Sequence, residues 1–488
     1  MSAIRLWSML GSLLTAVAVF TSPLNGGDPL ATQARDAVSR AGAFYHEKVA
    51  AHGGYVYQYS ADLSLREGES VTDLETVWVQ PPGTPTVGLT FLKAYERTGD
   101  ERLLVAAKDA AYCLLEGQFQ SGAWNGWIDF APDKRKNYAF ITGKNQKKNA
   151  RNYSTFDDDK TQAALKFLMR YDRSTGFKDA RVHAAVERAL SSVLTAQFAH
   201  GGWPQGYKAP VDQTVTKVAR ARYPADWPRQ YPGGDYWDFP TLNDNSQVDV
   251  IETLFQASEI YGQPAYRSAA LKGAGFLLAA QMPEPQPAWA QQYNYDFEPV
   301  WARKFEPPAV SGSESQNVIA MLMDVYVETG DRTFLAAIEP ALNYLERSKL
   351  SDGQLARFYE LKTNEPLYFT REYVLTKDDS DLPTHYGFKV SSKLESLRKR
   401  FEKLSTAKPA ALEQEKARLW GRSERTSPPS ADEVQRVIAS LDHRGAWVET
   451  GRLKYHPGKK EDRPIISSAT FARNMDLLSR YIAAHSTK

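Results

Sequence analysis

Arg303 stands in the loop Trp301–Ser315, two residues before Phe305-Glu306 and ahead of two prolines that stop any helix. An arginine on an irregular loop just before a helical run can present its planar fork to an anion, or simply pair with Glu306. Two acidic stretches occur at similar helix entries, Thr155-Phe156-Asp157-Asp158-Asp159 and Thr241-Leu242-Asn243-Asp244-Asn245. Each alone reads as ordinary N-capping, since Asp and Asn suit that place and acids suit the helix dipole. Taken together, they place Asp157 and Asp244 where their carboxylates would converge, and hard oxygen ligands with gaps suit Ca2+. Asn245 beside Asp244 is a candidate for touching substrate. Arg357 and Arg371, fourteen residues apart, are two more carboxylate forks, or structural partners of Glu360 and Glu372. Trp203, in the turn Gly201–Tyr207, could lay its face on a sugar or pack the next hairpin.

These residues sit between repeated helices. One kind of helix ends in a Leu-rich turn and a glutamine, at Gln118, Gln197 and Gln281; a tryptophan follows at Trp124, Trp203 and Trp289. The other kind closes at Gly99, Gly176, Gly262 and Gly330, at intervals of 77, 86 and 68 residues. Apolar residues recur at three and four within these runs, and a closing glycine suits a left-handed cap. Such helix pairs cannot bury their own faces, so the copies must stack. Long units with unequal loops predict an all-α fold, an α/α toroid (an incomplete barrel of helical hairpins) with short β segments over one end. Tyr55–Ser60 and Leu367–Val374 are the best strand candidates.

The chain has 488 residues and a net charge of +2, which points to neither nucleic acid nor an acidic membrane surface. Eleven Trp and twenty-five Tyr suit a carbohydrate groove as well as a core. The single cysteine, Cys113, reads as buried filler. Arg5, the apolar run Met9–Phe20 and Ser22–Gly27 form a secretory pattern, so residues 1–26 are expected to be a signal peptide and the protein secreted or periplasmic. The toroid is expected over 27–390. A charged helical insertion on the rim would follow at 391–440, and a segment closing the ring at 441–488. The insertion's basic face could touch an anionic polymer or only water. No metalloprotease helix, phosphate loop, dinucleotide fingerprint or nucleophile elbow is present.

The ordered set TFDDDKT, GGWPQ, TLNDN, WARKFE…SGSES and ARFYELKTN…FTR resembles the family 10 pectate lyases from about Asn152 to Arg371. The resemblance implies cleavage of polygalacturonate, an acidic polysaccharide, by Ca2+-dependent β-elimination to 4,5-unsaturated products. It places Asp157 and Asp244 at the metal and the substrate carboxylate, Arg303 as the base, and Arg357 and Arg371 on the substrate. A monomer is expected. Two departures stand out: Asp157-Asp158-Asp159 replaces a common Asp-Asn, and the segment after Arg371 is long. A glycoside hydrolase using the Asp pair, or a non-catalytic oligouronate-binding protein, are the alternative readings.

Overall fold

The computed structural model describes residues 28–208, 210–213, 219–423, 427–458 and 460–485; the expected signal peptide lies outside them. Its helices are α1 (Pro29–Phe44), α2 (Thr84–Thr98), α3 (Glu101–Glu116), α4 (Lys160–Ser174), α5 (Ala180–Thr195), α6 (Ser246–Tyr261), α7 (Pro264–Ala279), α8 (Glu314–Thr329), α9 (Ile338–Arg347), α10 (Leu394–Ser405), α11 (Pro409–Lys416), α12 (Ala431–Ala439) and α13 (Ser468–His485), with two single-turn helices besides. An inner row runs α13, α2, α4, α6, α8, each packed on the next. Each inner helix has an outer mate: α1 on α13, α3 on α2, α5 on α4, α7 on α6 and α9 on α8. This is the toroid of hairpins, with an apolar core between the rows.

The repeated residues are the brackets of this ring. The side-chain amides of Gln118, Gln197 and Gln281 each donate twice, to a carbonyl of their own loop (Gly122, Gly201, Pro287) and to one on the following hairpin (Ala185, Ala269, Ala337). The indoles of Trp124, Trp203 and Trp289 donate to Leu114, Val193 and Leu277 and are fully buried. Each indole bond reaches a carbonyl in the last turn of a helix, where intrahelical donors run out. Gly99, Gly262 and Gly330 close α2, α6 and α8 with positive φ, and Gly176 does so just past α4.

The short strands make more sheet than the sequence suggests. Val448–Gly451, Arg463–Ser467, Gln58–Ser60 and Arg66–Glu67 form one antiparallel sheet; Leu375–Thr376, Pro366–Phe369, Phe358–Glu360 and Ala309–Ser311 form another. The second sheet matters for the site. Ser311 pairs with Phe358, which fixes Arg357 against the entry of α8. Gly312 allows this approach, because a Cβ there would stand 2.2 Å from the Ala356 carbonyl oxygen.

Residues 391–440 pack against helices of the ring. α10 lies along α8 and α9 with Leu394, Leu397 and Leu404 buried, α11 packs on α8, and α12 packs on α1 and α13. The path begins beside the acid turns, where Lys393 Nζ donates to Asn317. It then reaches the opposite end of the ring, where Arg422 meets Glu328 and Glu259 and Trp420 stacks on Phe255. Among the described residues, no helix is long and apolar enough to cross a membrane.

Candidate active site

The two acid stretches are single 3-10 turns, Asp157–Asp159 before α4 and Asn243–Asn245 before α6. Asp158 and Asp159 have φ of 50° and 56°, and Asp244 and Asn245 have 49° and 63°. Asp and Asn tolerate this left-handed backbone better than other side chains. The two turns share their backbone angles position by position, so Asp244 corresponds to Asp158, and Asp157 to Asn243. The second pair is held alike, Gln205 Nε2 donating to Asp157 Oδ1 at 2.6 Å and Gln291 Nε2 to Asn243 Oδ1 at 2.7 Å. Buried Phe156 and Leu242 anchor the turns from below.

The turns touch, and one oxygen each from Asp157, Asp158 and Asp244 lies within 4.8 Å of the others. Lys160 flanks this group, its Nζ 2.6 Å from Asp157 Oδ2 and 3.5 Å from Asp158 Oδ2. Burial, then Asp158, Asp157 and Glu314, push the Asp244 carboxyl up to about 7, against the pull of Arg303. Burial and Asp157 raise Asp158 as well. Burial pulls the Lys160 ammonium down, but Asp157 and Asp158 more than offset it. These hard oxygens fit a Ca2+ ion whose other ligands are water or a substrate carboxylate.

The arginines face the acids. Arg303 makes a bidentate pair with the buried Glu306 through Nε (2.8 Å) and Nη2 (2.5 Å). Tyr386 Oη donates to the same carboxylate at 2.9 Å. Burial opposes the charge on Arg303, yet the Glu306 hydrogen bonds and charge hold it well above its ordinary range. Arg357 Nε donates to the Gly387 carbonyl at 2.7 Å, and its Nη1 lies 3.5 Å from Glu314. Tyr386 lies between the two guanidiniums, 5.6 Å from Arg303 and 4.7 Å from Arg357. Gln291 Nε2 lies 2.7 Å from Asn243 Oδ1 in the second acid turn and 3.1 Å from Tyr386 Oη, so both arginines and the acid cluster share one hollow.

Three expected site residues stand elsewhere. Trp203 is wholly buried with its indole bonded to Val193, so it offers no face to a sugar. Asn245 accepts a bond from Asn317 on α8 at 2.6 Å, which makes it a brace between two inner helices. Arg371 is exposed and paired with Asp381 at 3.3 Å; none of its contacts is to the acid turns. The sequence reading left out Asp158, Lys160, Gln205 and Tyr386 as site residues, and it named Glu306 only as the pairing partner that Arg303 indeed has. Lining up T-F-D-D-D with T-L-N-D-N would have found Asp158; nothing local marks Tyr386 or the burial of Glu306.

Residues 133–355 match the model of the pectic acid lyase family. No curated protein matches the sequence. Among solved structures, a family 10 polysaccharide lyase from Cellvibrio cellulosa is similar at 20% identity and TM-score 0.45, covering 60% of this chain and 91% of that one. A mutant of the Cellvibrio lyase in complex with trigalaturonic acid gives 20%, 0.45, 60% and 92%. Cellobiose 2-epimerase from Spirochaeta thermophila DSM 6192 is 14% identical at TM-score 0.45, over 93% of this chain and 98% of that one. The part of the chain that is similar to the pectic acid lyase family, residues 133–355, is thus the segment that builds both acid turns and the Arg303 loop.

Proposed function

We propose that this protein is a secreted or periplasmic, monomeric pectate lyase that cleaves polygalacturonate by β-elimination. The observation that carries the reading is the shared hollow, where Asp157, Asp158 and Asp244 face Arg303 and Arg357. Asp157, Asp158 and Asp244 would hold Ca2+, which supplies charge neutralisation at the carboxylate next to the reacting carbon. Arg357 grips that carboxylate, and its fixed fork stabilises the negative charge that develops as the C5 proton leaves.

Arg303 acts at the proton. Its Nε and Nη2 are tied to Glu306, while Nη1 has no partner among the described residues and the side chain is 38% exposed. An arginine held above its ordinary range is not neutral at working pH. We therefore assign the proton to a hydroxide held at Nη1, which leaves as water. The C5 electron pair forms the 4,5 double bond, the C4–O bond breaks, and the departing oxygen takes a proton from water. The carboxylate spacing, with oxygens within 4.8 Å, counts against an inverting hydrolase, whose pair stands roughly 6.5–9.5 Å apart to admit a water.

The test follows ultraviolet absorbance of unsaturated product from polygalacturonate, with and without chelator, beside a reducing-end count. Equal rises in both readouts, abolished by chelator, are expected. Reducing ends without absorbance would make the protein a hydrolase, and no change in either would leave it without lyase activity.

A further inference from the structure

The strand pair that carries the first acid turn has a second face. Behind Tyr153 lies a cleft of about 600 Å³, lined among others by Arg151, Tyr153, Lys208, Asp235 and Trp237. Strand Ser154–Thr155 pairs with Gly206–Tyr207, and Gly206 N–H donates to the Trp237 carbonyl at 3.2 Å. Tyr153 presses on Gly206 so closely that a Cβ there would meet its Oη at 2.3 Å. Trp237 stacks on the buried Tyr236 with ring centres 4.5 Å apart, yet remains 41% exposed. Its indole is oriented by a 3.2 Å bond to Asp235.

The chemistry of this cleft is unused by the fold. Arg151 lies over the Tyr153 ring at 5.6 Å; among the described residues, neither Arg151 nor Lys208 has a carboxylate within ion-pair distance. The Tyr153 hydroxyl is buried and has no hydrogen-bond partner among the described residues. The cleft also meets the acid cluster. Tyr153 stands four residues before Asp157, next to the strand that leads into the acid turn, and Gln205, adjacent to Gly206, donates to Asp157 at 2.6 Å.

We propose that this cleft is an outer subsite that binds a further uronate unit of the same acidic chain. The proposal rests on the lyase reading and extends it to chain length. An exposed aromatic face held rigid from behind suits the apolar face of a sugar ring. Two cations with no carboxylate at ion-pair distance among the described residues suit its carboxylate. Asp235 is the exception in sign, and its bond to the indole places it in support of Trp237. A surface patch that merely attracted anions would need no such aromatic.

The experiment is calorimetric titration with trigalacturonate and hexagalacturonate, using the full protein, Trp237→Ala and the double variant Arg151→Ala, Lys208→Ala. Wild type should bind the hexamer about tenfold more tightly than the trimer, as expected for one added stacked and paired unit. Each variant should lose most of that ratio and keep trimer binding and trimer turnover. Variants with the wild-type ratio, or with trimer binding weakened equally, would overturn the subsite. Wild type that binds neither oligomer would sink the lyase reading itself. Wild-type binding with insensitive variants would sink only the subsite.

Discussion

Lys160 offers the sharpest test of the acid cluster. Replacing it by Met keeps the bulk of the stem and removes the charge that now rests on Asp157 and Asp158. A fully buried ion pair costs about 3–5 kcal/mol to break, and an exposed one about 0–1. Lys160 is 10% exposed, but its partners are 24% and 35% exposed, so solvent screens part of the interaction. A loss of about 2 kcal/mol is the result of weighing these limits. In the absence of metal, the variant should therefore melt at lower temperature. A divalent cation competes with the ammonium for the same oxygens, so removing the ammonium should strengthen Ca2+ binding by the same amount. At 1.36 kcal/mol per tenfold, this is about thirtyfold in Kd. Calcium titration by calorimetry reads it directly, and the Ca2+-induced rise in melting temperature should be larger in the variant than in wild type. Equal or weaker Ca2+ binding by Lys160→Met would refute the reasoning, because the ammonium and the metal would then not share a site.

Three more outcomes follow. Glu306→Gln removes the charge that holds Arg303, and kcat on polygalacturonate should fall at least tenfold while the rise of rate with pH keeps its shape. A profile shifted toward neutral pH would instead make neutral Arg303 the base. Trp203→Ala should cost about 3–5 kcal/mol of stability, as truncated buried aromatics do, with KM of the folded fraction unchanged; a raised KM would return Trp203 to the substrate. The hydrogen bond that His183 Nδ1 donates to Asp172 raises the His183 pKa against the effect of burial. A group raised on folding stabilises below its unfolded pKa of about 6.5 and loses that contribution as pH climbs through the folded value. His183→Asn should therefore lower stability by about 1 kcal/mol at pH 5, His183 being 34% exposed beside a buried Asp172, and by nothing at pH 9, as read by urea melts.

What the chain declares locally is what repeats. The Gln and Gly residues recur with the helical units, and so the ring was legible from their spacing. Trp203 shows the limit of that signal. A tryptophan in a turn reads alike as a sugar platform and as a bracket, and only its six-residue offset from Gln197, shared by Trp124 and Gln118, marks the second. The sheets were hard to read because their strands run two to five residues, too short for an alternating pattern. Tyr386 and Glu306 meet across 80 residues, so their partnership exists only in the folded chain.

The pairing of α1 with α13 bears on how the protein is made. Tyr45 bonds Ser468 across 423 residues, and Asp28 accepts from Tyr481 across 453. Ala34, Val38 and Ala41 on α1 thus leave the ribosome long before their mate exists. Until residues 468–485 emerge, that stripe stays open to water and to other chains, which makes a nascent fragment lacking α13 prone to aggregation.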